Sequence, residues 1–136
     1  MAVHRPLLLV VEEDEHLARF FRRFLSERGF EVATAAAQAD CLTKLERLYP
    51  DAMLLDHELP NRASDEILST LRTGKSFKPT PVVMVSDMSP SDERWQSPVV
   101  AWVQKPFRLV DIVHALGQAF LPMGRSHPAF APIAFN

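Results

Sequence analysis

The chain has 136 residues, of which 47% are hydrophobic and 24% charged, and its formal net charge is −2. This length suits one domain with one core, and the near-neutral charge does not favour nucleic acid or an anionic membrane as a partner. Cys41 is the single cysteine, so no disulfide forms within the chain, and a small buried apolar role is favoured for it. No apolar run is long enough to span a bilayer, and the run near the start ends in acids rather than in a cleavage site. We therefore expect a cytoplasmic protein without a signal peptide.

Short apolar runs alternate with segments of helical period along the chain. The predicted strands cover residues 6–11, 30–35, 52–56, 80–86 and 98–104. The predicted helices cover residues 14–29, 37–49, 64–74 and 109–120, in which apolar residues recur at helical spacing. Strands that are almost wholly apolar indicate a parallel sheet covered by helices on both faces, which is a three-layer α/β sandwich.

The first two helices carry specific expectations about their ends and their buried faces. Asp14 is the expected N-cap of the first helix, and Phe20 is expected on its apolar face. In the second helix, Leu48 is expected to face the sheet together with Leu42 and Leu45.

Two segments depart from the regular alternation of strands and helices. Residues 87–97 are bounded by Pro90 and Pro98 and leave room for one or two helical turns between the fourth and fifth strands, so a shortened fourth helix is expected there. Residues 121–136 contain three prolines and little periodicity. We expect residues 1–120 to form the domain and residues 121–136 to form an irregular, Pro-rich C-terminal tail, and docking of this tail is left open.

Polar side chains stand at the carboxyl ends of four predicted strands. Glu12 and Glu13 follow the first strand, Asp56 ends the third, Ser86 ends the fourth and Lys105 follows the fifth. Ligand sites of open parallel sheets lie outside these ends, so the groups are expected to meet. Clustered carboxylates favour a cation such as Mg²⁺, and an Asp carboxylate can attack phosphorus while a Lys and a Ser hold the remaining phosphoryl oxygens.

Each of these residues taken singly also has an ordinary structural explanation. Acids after a strand often cap the next helix, a Ser after a strand is usually a turn residue, and a Lys before Pro is usually solvated. Their joint placement at the ends of different strands is what favours a functional site. His57 follows the strand-ending Asp56 and is expected to point to the opposite side, away from this site.

Four segments together resemble a known family in their order and spacing: LLLVVEEDE, MLLDHELP, PVVMVS and VQKPF. They resemble the response-regulator receiver domain of two-component signalling, over roughly residues 6–120. The resemblance implies a flavodoxin-like fold whose five parallel strands lie in the order 2-1-3-4-5. It also implies that a histidine kinase or a phosphotransfer protein donates a phosphoryl group to an Asp in the presence of Mg²⁺.

Carried over by position, the resemblance makes Asp56 the phosphoacceptor. It makes Glu13 a direct carboxylate ligand of the metal, with Glu12 acting largely through water. Asp56 itself and the backbone carbonyl of Glu58 would complete the protein ligands of Mg²⁺.

The same resemblance assigns roles to residues of the last two strands. Ser86 takes the position of the family's switch hydroxyl, and Lys105 takes that of its Lys. Trp102 stands where the family often has a smaller aromatic ring that moves with the switch, and whether this bulkier ring moves or stays fixed is open. The Lys105–Pro106 bond is expected to be cis.

Several residues depart from the family's pattern. The acid pair at positions 12 and 13 is Glu-Glu, whereas the family's pair usually contains Asp. Asp87, after the switch Ser86, and the side chain of Glu58 add negative charge that would repel a phosphoryl group.

Two functional readings therefore remain open. The first is a stand-alone receiver that accepts a phosphoryl group and signals by contact with an unknown downstream protein, an enzyme only in assisting its own phosphorylation and dephosphorylation. The alternative is a degenerate receiver that serves as a protein-binding module without phosphorylation. Whether the chain forms a homodimer is left open in both.

Overall fold

The computed structural model describes residues 5–74, 79–90 and 96–120. The strands are β1 (Leu7–Val11), β2 (Glu31–Ala35), β3 (Ala52–Asp56), β4 (Val82–Ser86) and β5 (Val99–Gln104). The helices are α1 (Glu15–Glu27), α2 (Gln38–Leu48), α3 (Ala63–Thr73) and α4 (Leu109–Ala119), and a 3₁₀ turn (Pro60–Arg62) precedes α3. The five predicted strands and the four predicted full-length helices are all present.

The five strands form one parallel sheet in the order β2-β1-β3-β4-β5. This order confirms the flavodoxin-like arrangement that the resemblance implied. Because all the strands run in the same direction, their carboxyl ends lie at one edge of the sheet, and the loops that follow β1, β3, β4 and β5 meet there.

Alternating side chains of the central strands enter two separate cores, one on each face of the sheet. In β1, Leu8 and Val10 belong to one core, whereas Leu9 and Val11 belong to the other. The first core includes residues of α1 and α4, namely Phe21, Leu25, Ile112 and Leu116. The second includes residues of α2 and α3, namely Cys41, Leu45, Ile67 and Leu68. Burial of both faces explains why the strands are continuous apolar runs.

The predictions about helix ends and faces are confirmed in part. Asp14 caps α1, since its Oδ1 accepts hydrogen bonds from the backbone N–H groups of His16 (2.8 Å) and Leu17 (3.1 Å). Leu48, however, is 41% exposed, so the prediction that it faces the sheet is wrong, and Phe20, which was expected on the apolar face of α1, is 44% exposed. Each lies at the border of an apolar stripe that is wider than the strip of helix surface in contact with the sheet.

The connection between β4 and β5 has no helical residue in its described parts, 87–90 and 96–98. The predicted short fourth helix falls partly on residues 91–95, and the predicted tail covers residues 121–136; both segments lie outside the described residues. Within the described part of the chain, no helix has the length and apolar character needed to cross a membrane.

Candidate functional site

The carboxyl edge of the sheet carries polar side chains from four strands. Asp56 and Ser86 are the last residues of β3 and β4, and Glu12 and Lys105 directly follow β1 and β5. Backbone hydrogen bonds extend the sheet past these ends: the N–H of Glu12 donates to the carbonyl of Ala35 (3.0 Å), and that of Lys105 donates to the carbonyl of Ser86 (2.8 Å). Residues far apart in the sequence are thereby held side by side.

Asp56 lies at the centre of this edge and is only 8% exposed. Its Oδ1 accepts hydrogen bonds from Lys105 Nζ (2.9 Å) and from the backbone N–H of Glu58 (3.1 Å). Its backbone carbonyl accepts a hydrogen bond from the buried Ser64 Oγ (2.5 Å). A buried carboxylate needs a counter-charge, and Lys105 supplies it. From the sequence, Ser64 is predicted only as the start of a helix, and its hydrogen bond to the Asp56 backbone carries no local sequence signal.

Glu12 forms a carboxyl pair with Asp56. The Glu12 side chain is hydrogen-bonded to Asp56, and Glu12 is 7% exposed. Desolvation is the main reason that the pKa of Glu12 rises from 4.5 to about 7, and the hydrogen bond and charge of Asp56 raise it further. The backbone N–H of Asp14, which donates to Glu12 Oε2 (3.2 Å), and the charge of Lys105 act in the opposite direction. At neutral pH, the Glu12 carboxyl group therefore keeps a proton that an exposed glutamate would have lost more readily.

The predicted metal ligands are only partly assembled. The Glu12 and Asp56 side chains lie together, whereas the Glu13 side chain is exposed, and the predicted role of the Glu58 backbone carbonyl stays a prediction. Within residues 5–74, 79–90 and 96–120, no group of three or more His, Cys, Asp or Glu side chains is placed to hold a metal ion. A pair of carboxylates still fits Mg²⁺, because this ion is usually bound through one or two carboxylates and keeps several waters.

The Glu58 carboxylate accepts hydrogen bonds from several donors of the site. Its Oε1 lies 3.1 Å from Lys105 Nζ and accepts a hydrogen bond from the backbone N–H of Asp87 (2.8 Å). Its Oε2 accepts a hydrogen bond from Ser86 Oγ (3.0 Å). Desolvation opposes ionisation of this group, but the bonds from Asp87, Lys105 and Ser86 outweigh it and lower the pKa of Glu58. The Asp87 side chain itself is exposed.

Lys105 remains a cation although it is partly buried. Burial alone would lower the pKa of its ammonium group, but its hydrogen bonds with Asp56 and Glu58 and the charges of these two carboxylates raise that pKa. The Lys105 ammonium group therefore contacts both Asp56, at the end of β3, and Glu58, in the loop that follows β3. The Lys105–Pro106 bond is cis, as the resemblance implied.

His57 is part of the site, so the prediction that it points away is wrong. Its Nδ1 lies 2.8 Å from Ser86 Oγ and 3.3 Å from Glu58 Oε2. Strict alternation of side chains ends with β3 at Asp56, and the chain then turns, which brings two consecutive side chains to the same edge. The end of the apolar run at Asp56 was the available signal for this turn.

Trp102 lies beside this cluster, on β5, and is partly buried. Its indole Nε1 donates a hydrogen bond to the carbonyl of Met88 (2.9 Å), and its ring meets His57 edge-on, with centroids 5.7 Å apart. The backbone N–H of Met88 in turn donates to Ser86 Oγ (3.0 Å). Trp102 and Ser86 are thus linked through Met88, and both the switch role of these residues and movement of the ring stay predictions.

The model of the response regulator receiver domain matches residues 8–117 of the chain. The chain belongs to the response-regulator receiver family. It is 32% identical over 114 residues to the transcriptional regulatory protein PrrA of Mycobacterium tuberculosis, a match that covers 82% of this chain and 48% of PrrA. The chain therefore spans about half the length of this curated relative. Within the family, the chain is the receiver domain of a two-component response regulator.

Solved receiver structures share the fold. The chemotaxis response regulator CheY4 of Vibrio cholerae superposes with a TM-score of 0.76 at 21% sequence identity, over 85% of this chain and 99% of CheY4. The response regulator TrrA of Thermotoga maritima, solved in complex with Mg²⁺-BeF, superposes with a TM-score of 0.72 at 22% identity, over 84% and 98% of the two chains. At this identity, the likeness establishes the fold of the receiver.

Proposed function

We propose that this receiver accepts a phosphoryl group on Asp56 from a histidine kinase or a phosphotransfer protein. The observation that carries the proposal is the meeting of Asp56, Lys105 and Ser86, which come from three different strands, with Lys105 Nζ 2.9 Å from Asp56 Oδ1. In this reaction, a carboxylate oxygen of Asp56 attacks phosphorus, and the bond between phosphorus and the donor breaks with its electron pair going to the donor. The product is an acyl phosphate on Asp56.

The surrounding groups fit the charge of that product. The Lys105 ammonium group pairs with a phosphoryl oxygen, and the Ser86 hydroxyl and the Asp87 amide are donors beside it. Mg²⁺, held by Glu12 and Asp56, would neutralise further phosphoryl charge. The raised pKa of Glu12 and the structural neighbour in complex with Mg²⁺-BeF support this cofactor. Glu13 and the Glu58 carbonyl as additional ligands stay predictions.

We also propose that the signal leaves this domain by contact with a downstream protein. The proposed chemistry is limited to the protein's own phosphorylation and dephosphorylation, and the absence of any other enzymatic activity stays a prediction. Its stand-alone action and its cytoplasmic location stay predictions, and whether it forms a homodimer stays open.

The second candidate function is a binding module that works without phosphorylation. The observation that favours it is the Glu58 carboxylate, which already satisfies Lys105, Ser86 and the Asp87 amide. A site filled in this way would hold one conformation with or without a phosphodonor.

Intact mass separates the two functions. The purified chain is incubated with Mg²⁺ and acetyl phosphate, and Asp56→Asn serves as the control because it keeps the shape of the side chain without its nucleophilic oxygen pair. Phosphoacceptance predicts a gain of one phosphoryl group that Asp56→Asn lacks and that EDTA prevents. An unchanged mass with both acetyl phosphate and a panel of histidine kinases would rule out the first function.

A further inference from the structure

The Glu58 carboxylate has polar partners at both of its oxygens, although its side chain is 32% exposed. Four polar groups surround its two oxygens: Lys105 Nζ and the Asp87 backbone N–H at Oε1, and Ser86 Oγ and His57 Nδ1 at Oε2, at 2.8–3.3 Å. Two of these groups belong to loops that follow β4 and β5, and one ends β4. The carboxylate is thus held by three separate parts of the sheet edge.

The chemistry of these groups is that of an oxyanion site. An ammonium group, a hydroxyl and a backbone N–H that converge on one point bind carboxylate or phosphoryl oxygens through charge-assisted hydrogen bonds. Lys105 Nζ lies within 3.1 Å of Glu58 Oε1 and 2.9 Å of Asp56 Oδ1, so this site borders the Asp56 carboxylate directly. A phosphoryl group on Asp56 would need the same donors.

We propose that the Glu58 carboxylate is a built-in ligand of the oxyanion site next to Asp56, and that a phosphoryl group must displace it in order to bind there. The identity of the displacing ligand rests on the proposed function. Glu58 is then a specificity-determining residue, because it makes the site selective for phosphodonors whose phosphoryl group can displace a carboxylate. It also holds Ser86 in a ligand-bound arrangement while Asp56 carries no phosphoryl group.

A purely structural role for Glu58 makes a different prediction. The Asp87 N–H bond ties the loop after β3 to the loop after β4, and such a tie contributes to stability without competing with any ligand. Under that role, removal of the carboxylate would lower the free energy of unfolding but would leave the affinity for phosphoryl analogues unchanged or weakened. Competition predicts that affinity increases.

The test compares Glu58→Ala and Glu58→Gln with the native chain and with Glu46→Gln. Glu46 is exposed on α2, so its substitution removes the same charge away from the site. Each protein is titrated with beryllofluoride at saturating Mg²⁺, and NMR records the resonances of the Asp87 amide and the Trp102 indole. The indole resonance is assigned by its absence in Trp102→Phe. We expect the half-saturating concentration to fall about tenfold in Glu58→Ala, the effect of removing one charge-assisted competitor, and to stay unchanged in Glu46→Gln. An equal or higher half-saturating concentration in both Glu58 variants would overturn the proposal.

A second measurement tests the role of Glu58 independently of whether Asp56 accepts a phosphoryl group. In the Asp56→Asn background, no phosphoryl group can be accepted, yet Glu58→Ala is expected to shift the Asp87 amide and Trp102 indole resonances because the built-in ligand is lost. Adding acetate at high concentration should partly restore the Asp87 resonance. Shifts no larger than those of Glu46→Gln would overturn the inference even if Asp56 is phosphorylated. Large shifts without any mass gain in the native chain would refute the proposed function alone.

Discussion

Replacing Glu12 with Gln should make the protein more stable at alkaline pH. The pKa of Glu12 rises from 4.5 to about 7 in the folded protein, mainly by desolvation, so the folded state binds a proton more tightly than the unfolded state does. Its contribution to stability is therefore fully present below pH 4.5 and is lost as the pH rises towards 7. Each unit of pKa difference corresponds to about 1.4 kcal/mol, which gives a loss of about 2–3 kcal/mol by pH 8 once partial screening is allowed for.

Urea denaturation followed by circular dichroism, in EDTA and at several values between pH 5 and pH 8, measures this loss. Gln has no proton to lose, so the curves of the native chain and Glu12→Gln should differ by less than about 1 kcal/mol at pH 5. At pH 8, Glu12→Gln should be more stable by about 2 kcal/mol. Glu13→Gln, a change of the same kind at the next, exposed position, should not reproduce this divergence. Parallel curves for Glu12→Gln and the native chain across the whole range would refute the reasoning.

Three further predictions concern buried groups. Burial, helped by the charge of a neighbouring acid, raises the pKa of the Cys41 thiol to about 12, so Ellman's reagent should react with it only after unfolding; rapid reaction in the native state would contradict this. Ser64→Ala removes the hydrogen bond to the carbonyl of Asp56 and should lower the free energy of unfolding by about 1–3 kcal/mol, measured by urea denaturation; no loss would show that the bond contributes nothing. Leu116→Ala, in the fully buried core, should lower the free energy of unfolding by about 2–5 kcal/mol in the same assay, whereas Leu48→Ala, at a position that is 41% exposed, should lower it by less than about 1 kcal/mol. Equal losses would contradict the assigned burial.

The sheet and its order were predictable because local signals and the family resemblance agree. Runs such as Leu7–Val11 and Ala52–Asp56 are continuous apolar segments, which is what burial on both faces of a parallel sheet requires. The exposure of Phe20 and Leu48 was not predictable from periodicity, because helical spacing defines a stripe but not how much of it the sheet covers. Only the packed helices decide that.

The sequence by itself placed Asp56, Ser86 and Lys105 at the ends of separate strands, and parallel strands bring their carboxyl ends to one edge whatever the side chains are. The sequence did not determine the directions of the side chains that follow the strand ends. The tertiary structure directs the Glu58 carboxylate onto Lys105, Ser86 and the Asp87 amide, and it turns His57 towards Ser86. The sequence predicted that Glu58 would add negative charge near the phosphoacceptor. The structure places that charge within the donor site itself, because donors from the ends of β4 and β5 converge there and a carboxylate two residues after Asp56 is long enough to reach them.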